Sequence, residues 1–303
     1  MIDILIDAPR PGDFYLWVAR ICELEKKIPL NNVNITITKR SLFFDLKHLF
    51  SGYITELNFS VIEKKADYEK LDGYSGEHTK AGEPLVPAGN YDFQALYKKF
   101  GILISRNDAL SEDISCFVTL ECEKRKFHSQ YELLVEFADM VRQELGKKVC
   151  FINNGLTSTL AGELRNIESE QHLFEKNYLS RLCKETDSNF LDLYGETIPI
   201  KLNALKNCDF AISSLGTASI LPYACNIPTL NFGNRYLHRV CQRDGINKLE
   251  NNGLIIPLKV TKLLDEETNF SVNNFKNKAQ LISYDIDKKD FMAYLTKLIS
   301  SKN

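Results

Sequence analysis

The residues best suited to ligand chemistry lie at 210–225, where a short apolar strand gives way to small polar residues and then to a helix. Residues 210–212 predict the strand, 213–217 the turn and 218–225 the helix. Glycine lets a backbone approach a ligand closely, and the free N–H groups of a first helical turn attract negative charge. The pattern predicts a site for the diphosphate of a nucleotide, although an ordinary turn with a hydroxyl N-cap gives the same pattern. The predicted contacts are Ser214, Gly216, Thr217 and Ala218.

A basic cluster follows an earlier apolar strand of the same half. The strand is predicted at 114–120, and Lys124, Arg125 and Lys126 come shortly after it. A departing nucleoside diphosphate gains negative charge, which Lys or Arg side chains stabilise without a metal ion. Arg125 is our first candidate for this role and Lys124 the second. The alternative is a basic turn that contacts only solvent.

Polar residues also follow two other predicted strands. Asn153, Asn154 and Gly155 follow the strand at 149–152, and Thr197 opens the helix at 198–206. The first three are predicted to reach the nucleotide or the sugar, and Thr197 to line the base pocket. Asn-Gly is also a common turn dipeptide and Thr a common N-cap, so structural roles remain open for all of them.

Asp13 is the candidate general base. It lies with Gly12 in the loop 8–13 after the N-terminal strand 2–6, where α/β folds place ligands. A carboxylate at such a place can act as a general base and take the proton from a hydroxyl group that attacks a bound ligand. The alternative is that Asp13 is the N-cap of a helix at 14–27. The reserve candidates for the base are Asp7 and Glu77.

Alternating strands and helices must position these residues, and they predict an α/β fold. The first half reads as strand, helix and strand between residues 2 and 37, which is one βαβ unit of a parallel sheet. In the second half four strands alternate with helices, which predicts a doubly wound parallel sheet. We therefore predict two Rossmann-like domains, a small one at 1–110 and a larger one at 111–303. The amphipathic helix at 288–299 is expected to pack back on the first domain.

Composition narrows the class of protein. Of the 303 residues 44% are hydrophobic and 26% are charged, and the formal net charge is -2. These values are typical of a globular protein and argue against nucleic-acid binding. No run approaches the roughly 18 apolar residues of a membrane span, and Asp3 and Asp7 argue against a secretory signal, so we expect a cytoplasmic protein. The eight cysteines form no CxxC pair, which predicts reduced thiols and no metal site.

Three stretches, in this order, resemble the glycosyltransferase family 9 heptosyltransferases, which have the two-domain GT-B fold. They are the Pro-Gly-Asp at 11–13, the Lys-Arg-Lys-Phe at 124–127, and the segment 193–233 that holds the polar turn. The chain departs from the family where Asp-Thr-Gly is usual, since Ser-Leu-Gly stands there at 214–216. Ser219 takes the place of a His that follows in the family.

The resemblance implies an enzyme that moves a hexosyl or heptosyl group from a nucleotide sugar to a bacterial surface glycan, such as lipopolysaccharide or capsule. It implies that the domain at 1–110 is the acceptor-side domain and that the domain at 111–303 is the nucleotide-sugar-binding one. It implies no metal and no other cofactor. It assigns the role of general base to Asp13, which takes the proton from an acceptor hydroxyl as that hydroxyl attacks the sugar. The expected partners are the nucleotide sugar and a glycan or glycolipid acceptor. A glycolipid acceptor would bring the protein to the inner face of the membrane. A nucleotide-sugar epimerase and a non-catalytic GT-B-like binding module are the alternatives.

Overall fold

The structure, a computed structural model, describes the strands and helices of two α/β halves. The described residues are 2–8, 10–50, 58–63, 93–102, 113–119, 121–122, 125–126, 131–162, 169–214, 220–225, 227, 229–232, 255–257, 260–263, 284–286, 293 and 296. Five candidate site residues lie outside this set, namely Glu77, Lys124, Gly216, Thr217 and Ala218, and so does Ser219.

The first half contains a three-stranded parallel sheet. Its strands are β1 (Ile2–Ile6), β2 (Val33–Thr38) and β3 (Asn58–Ile62), in the order β1-β2-β3. Ile4 and Ile6 of β1 lie beside Ile35 and Ile37 of β2, and all four are buried. Helix α1 (Pro11–Glu25) connects the two strands, so the predicted βαβ unit is confirmed.

Helix α1 begins three residues earlier than the sequence predicted. Its N-cap is Arg10, which has extended backbone angles of φ -131° and ψ 145°, and Pro11 lies in the first turn. The fixed φ of proline suits the first helical position, where its missing N–H would have no partner. The predicted helix is thus present, with its start shifted to residue 11. The alternative in which Asp13 is its N-cap is wrong, because Asp13 lies inside the first turn.

The second half is built on a six-stranded parallel sheet. The short helix α2 (Leu46–Leu49) lies between β2 and β3. The elements that follow β3 along the chain are α3 (Phe93–Ile102), β4 (Ile114–Val118), β5 (Glu121–Cys122), β6 (Arg125–Lys126), α4 (Tyr131–Leu145), β7 (Val149–Asn153), α5 (Ser169–Thr186), β8 (Asn189–Asp192), α6 (Ile198–Leu205), β9 (Phe210–Ser214), α7 (Ile220–Ala224), β10 (Thr229–Phe232), β11 (Ile255–Pro257), β12 (Val260–Leu263) and β13 (Tyr284–Ile286). The sheet has the order β11-β10-β9-β4-β7-β8. Read from β8, this is the 3-2-1-4-5-6 order of doubly wound dinucleotide-binding folds. The predicted parallel, doubly wound sheet is confirmed in this half.

Helices cover both faces of the six-stranded sheet. On one face Cys116, Phe151 and Phe210 pack with buried side chains of α4 and α5. On the other face Phe117 and Ile152 belong to a core that includes α6 and α7. The side chains alternate between the faces because successive residues of a strand point in opposite directions.

The two halves share an apolar core although their sheets are separate. The core that contains Phe117 also contains Phe14 of α1 and Phe100 of α3, and α3 packs on α7. Tyr15 of α1 is buried close to Cys225, and burial raises the pKa of the Tyr15 hydroxyl, with a smaller contribution from Cys225. The domain limits stay a prediction.

The terminal helix predicted at 288–299 is described at two positions only. Ala293 and Thr296 are both helical, and the Thr296 hydroxyl lies 3.3 Å from Met140 Sδ of α4. Packing of this helix on the first half stays a prediction. Within the described ranges, no helix has the length and apolar character needed to cross a membrane.

Six of the cysteines that the structure describes carry free thiols, and five of these six are buried. They are Cys22, Cys116, Cys150, Cys183, Cys208 and Cys225. Burial, with a smaller effect from Cys150, raises the pKa of the Cys183 thiol to about 12. Its Sγ donates a hydrogen bond to the carbonyl oxygen of Asn189 at 3.3 Å. A neutral, buried thiol of this kind is a poor nucleophile.

We expect Cys183 to make the protein less stable as the pH rises above about 9. An unfolded thiol ionises near pH 8.5, whereas the folded Cys183 stays protonated to about pH 12. The unfolded state binds fewer protons between these values, so the free energy of unfolding falls by at most about 1.4 kcal/mol per pH unit. Urea unfolding at several pH values measures the slope. Cys183→Ser keeps a donor for Asn189 but does not titrate, and an unchanged slope in that variant would contradict the prediction.

Candidate functional site

The candidate site lies at the carboxyl edge of the six-stranded sheet, where the strand order reverses between β4 and β9. Thr119, directly after β4, donates its backbone N–H to the carbonyl of Ile212 in β9 at 2.9 Å. Asn154, directly after β7, donates its backbone N–H to the carbonyl of Val118 at 2.9 Å. Doubly wound sheets bind ligands in the crevice outside such a reversal.

Asn154 places a carboxamide at this reversal. Its side chain is 8% exposed, and its Nδ2 donates to the Thr119 hydroxyl at 3.1 Å. Its Oδ1 is buried and accepts no hydrogen bond from any residue that the structure describes. A buried polar atom without a partner costs about 1–3 kcal/mol. The Asn154 oxygen is therefore an acceptor for which a ligand donor is the natural partner.

The neighbouring amide, Asn153, makes a different contact. Its Nδ2 donates to Asp192 Oδ1 at the end of β8 at 3.0 Å. The backbone N–H of Tyr194 donates to the same oxygen at 3.1 Å. These bonds join the ends of β7 and β8, so Asn153 has a structural role while Asn154 lies nearer the reversal.

Lys201 of α6 fixes the loop that carries Asn154, and sequence reasoning did not identify it. The side chain is 0% exposed. Its ammonium donates to the carbonyl oxygens of Asn154, Gly155 at 3.3 Å and Leu156 at 2.7 Å, and to the Thr157 hydroxyl at 3.0 Å. A signal was present, because Lys201 shares a helical stripe of three- and four-residue spacing with buried apolar residues. Those residues are Ile198, Leu202 and Leu205.

Gly155 has a conformation and a position that only glycine accepts. Its φ is +51°. A Cβ there would lie 2.8 Å from Cδ2 and 2.9 Å from Cα of Tyr194. Of the two roles that the sequence left open for Asn154 and Gly155, the turn is present, and it brings the Asn154 side chain to the strand reversal.

Thr197 occupies the N-cap position of α6, but its side chain makes no capping hydrogen bond. The residue is half-buried and forms an isolated parallel bridge with Ser158. The Ser158 hydroxyl donates to the carbonyl of Gly195 at 2.6 Å. The loop after β7 thus runs alongside the loop after β8, and Thr197 lies where the two meet.

The carboxyl edge of the first sheet carries an ion pair. Arg40 donates from Nε to Asp7 Oδ1 at 2.7 Å and from Nη2 to Asp7 Oδ2. Thr38 donates its hydroxyl to Asp7 Oδ1 at 2.8 Å. The hydrogen bond with Asp7 raises the pKa of Arg40. Because both Asp7 oxygens accept hydrogen bonds, this geometry favours a structural role for Asp7 over its reserve role as a base.

The two carboxyl edges meet at one backbone hydrogen bond. Leu160 donates its N–H to the carbonyl of Leu42 at 2.8 Å. Leu42 follows the short turn after β2, and Leu160 lies six residues after Asn154 in the loop after β7. The segment 154–160 therefore runs from the edge of the second sheet to that of the first.

The structure brings only some of the predicted site residues together. Asn154, Gly155 and Thr197 share the loop region beside β7 and α6, and Ser214 is the last residue of β9, the strand next to β4. Gly12 and Asp13 are half-buried in the first turn of α1. For Arg125 the structure gives only the backbone, in strand β6 of a short hairpin with β5, where the sequence predicted a turn. Among the described residues, no three His, Cys, Asp or Glu side chains are grouped to hold a metal ion.

Comparisons with known proteins add two distant structural likenesses. No sequence model of a protein family matches the chain, and no curated protein matches it. The crystal structure of a bacterial iron-containing dodecameric glycosyltransferase, TibC from enterotoxigenic E. coli H10407, matches with 13% identity and a TM-score of 0.39, over 76% of this chain and 57% of that one. The iron-containing heptosyltransferase TibC in complex with ADP-D-beta-D-heptose matches with 12% identity and a TM-score of 0.47, over 99% of this chain and 77% of that one. This chain thus spans little more than half the length of the first structure, and at these values neither structure assigns it an activity.

Proposed function

We propose that the protein is a glycosyltransferase that binds a nucleotide sugar at the carboxyl edge of its six-stranded sheet. One observation carries the proposal: beside the strand reversal, the neighbouring ends of β4 and β7 bring together the buried polar side chains of Thr119 and Asn154. The Asn154 oxygen has no partner among the described residues. An acceptor of this kind suits a hydroxyl or amino group, which nucleosides and sugars offer in number.

The polar turn after β9 supports the same site for the diphosphate. Ser214 ends β9 beside β4, and the sequence continues through Gly216, Thr217 and Ala218. Hydroxyl and backbone N–H groups in such a turn suit an anion. Arg125, with Lys124 second, is proposed to neutralise the charge of the departing nucleoside diphosphate.

The first half is proposed to hold the acceptor. Asp13 lies in the first turn of α1, directly after the loop that leaves β1. The Leu160–Leu42 hydrogen bond joins the carboxyl edges of the two sheets, so a donor at one edge and an acceptor at the other would be neighbours. In the proposed reaction Asp13 takes the proton of the acceptor hydroxyl while that oxygen attacks the anomeric carbon and the nucleoside diphosphate leaves.

The finer features of the proposal rest on the sequence resemblance. The acceptor is proposed to be a bacterial surface glycan or glycolipid, such as lipopolysaccharide or capsule. The transfer is proposed to need no metal ion, and to take place in the cytoplasm or at the inner face of the membrane.

Nucleotide-dependent melting tests the proposal. A nucleotide that binds only the folded state at ten times its Kd adds about 1.4 kcal/mol of stability and must raise the Tm. We expect one of UDP, GDP, ADP and CMP to do so, and the matching nucleotide sugar to be consumed when a membrane glycolipid extract is added. No shift with any of the four would contradict the proposal. Epimerisation of the sugar without acceptor would favour an epimerase, and binding without turnover a binding module.

Two substitutions should weaken nucleotide binding without unfolding the protein. Thr217→Val and Arg125→Ala each remove a proposed hydrogen bond to a charged group, so each should cost about 1.5–3 kcal/mol of binding free energy. Isothermal titration with the nucleotide that shifts melting measures the loss. Arg142→Ala is the control, since Arg142 is an exposed residue paired with Asp139 on α4. Wild-type affinity in both test variants would place the donor elsewhere.

A further inference from the structure

We propose that Lys201 is a positioning residue for the nucleotide-sugar site, because its ammonium holds the segment 154–160 that links the two carboxyl edges. That Lys201 positions a ligand-binding residue rests on the proposed function. That Lys201 fixes the loop rests only on its hydrogen bonds to residues 154–157. Lys201 acts on the proposed ligand through Asn154, whose carbonyl accepts from its ammonium.

The contacts of Lys201 explain why a charge is kept in an apolar layer. A buried ammonium without hydrogen bonds costs several kcal/mol. Here its three N–H donors face four oxygen atoms, three of them consecutive backbone carbonyls of Asn154, Gly155 and Leu156. The carbonyl of Leu156 also accepts from Gly195, whereas those of Asn154 and Gly155 would need other donors without Lys201. An apolar side chain at 201 would leave the loop free to adopt other conformations.

Further hydrogen bonds tie the rest of the segment to its neighbours. The N–H of Gly195 donates to the carbonyl of Leu156 at 2.9 Å, and the N–H of Ser158 donates to the carbonyl of Glu196 at 3.3 Å. At its far end the N–H of Leu160 donates to Leu42 of the first half at 2.8 Å. Lys201 anchors the near end of this series.

The near end determines where the Asn154 carboxamide lies. The backbone of Asn154 is held on one side by the carbonyl of Val118 and on the other by the Lys201 ammonium. Its side chain then reaches Thr119 at the strand reversal. A positional error of about 1 Å in such a group can cost a factor of about 100 in activity. Loss of the ammonium should therefore weaken ligand binding at a distance.

Amide hydrogen exchange of the full chain tests the hold directly. In Lys201→Met we expect the amides of Asn154, Ser158, Leu160 and Gly195 to exchange at least about tenfold faster, while amides of β4 change little, because these four N–H groups depend on the ordered loop. Leu182→Ala is the control for general destabilisation, since Leu182 is buried on the opposite face of the sheet. Equal exchange in Lys201→Met and the wild type, or the same change in Leu182→Ala, would overturn the proposal.

Nucleotide affinity then separates this inference from the proposed function. For the nucleotide that raises the Tm of the wild type, we expect a Kd at least about tenfold higher in Lys201→Met and a Kd close to that of the wild type in Leu182→Ala. If no nucleotide raises the Tm of the wild type, the proposed function fails. The exchange rates still decide whether Lys201 holds the loop. If Lys201→Met does not fold, Lys201→Gln, which keeps one amide donor, takes its place. Wild-type exchange or wild-type affinity in that variant overturns the role of Lys201.

Discussion

Asp13→Asn should lower turnover by about 100-fold or more while the Kd of the nucleotide sugar changes little. The substitution keeps the shape of the side chain and removes its basicity, and loss of a positioned acid or base has this scale. Asp13 lies in the first turn of α1 rather than at its N-cap, which is Arg10. The interaction of its carboxylate with the helix dipole therefore contributes only about 0.3–1 kcal/mol to the stability of the protein. Steady-state kinetics with donor and glycolipid acceptor, beside a melting curve, measure both effects.

A second helix start supplies the control for Asp13→Asn. Asp45 is the N-cap of α2, and its side chain accepts from the backbone N–H of Lys47 at 2.9 Å. Asn caps about as well as Asp, so Asp45→Asn should keep both stability and turnover. If Asp13→Asn also kept wild-type turnover, Asp13 would not be the base. Because Asp7 is held by Arg40, Glu77 would then be the next carboxylate to replace.

Gly155→Ala should lower the free energy of unfolding by about 2–5 kcal/mol. A side chain at a left-handed φ costs about 1–2 kcal/mol, and Gly155 has a φ of +51°. The added Cβ would also lie 2.8–2.9 Å from three atoms of Tyr194, one of them backbone Cα. Inserting a methyl group into such a packed place costs about 1–3 kcal/mol more. Urea unfolding measures the loss, and nucleotide affinity should fall with it because Asn154 is the preceding residue.

Gly146→Ala separates the cost of a left-handed φ from the cost of contact with Tyr194. Gly146 has a φ of +63°, but a Cβ there would meet nothing within 4 Å. This variant should therefore lose only the conformational part, about 1–2 kcal/mol. Equal losses in Gly146→Ala and Gly155→Ala would show that contact with Tyr194 costs nothing, against our expectation.

The sequence by itself determined the kinds of elements and their buried faces. Alternation at 33–37 predicted β2, and the apolar run before Asn153 predicted β7, because side chains of a strand point to opposite faces and a strand covered on both sides is apolar throughout. The polar residues at the strand ends were recognisable because they come where the apolar runs stop. Asn154 follows β7 and Ser214 ends β9, and the carboxyl ends of parallel strands lie at one edge of their sheet.

The tertiary structure decided which of these residues meet. The period of a pattern gives the face of an element, but it does not say which strands are neighbours, since distant strands pair only when a whole layer packs. The order β9-β4-β7 is thus a product of packing. The pairing of β4 with β7 brings Thr119 and Asn154 together, and the pairing of β4 with β9 places them beside the strand reversal. The same holds for Lys201. On an apolar stripe a lysine cannot be interpreted until the carbonyls that satisfy its charge are in place, and those carbonyls belong to a loop 44 to 47 residues away along the chain.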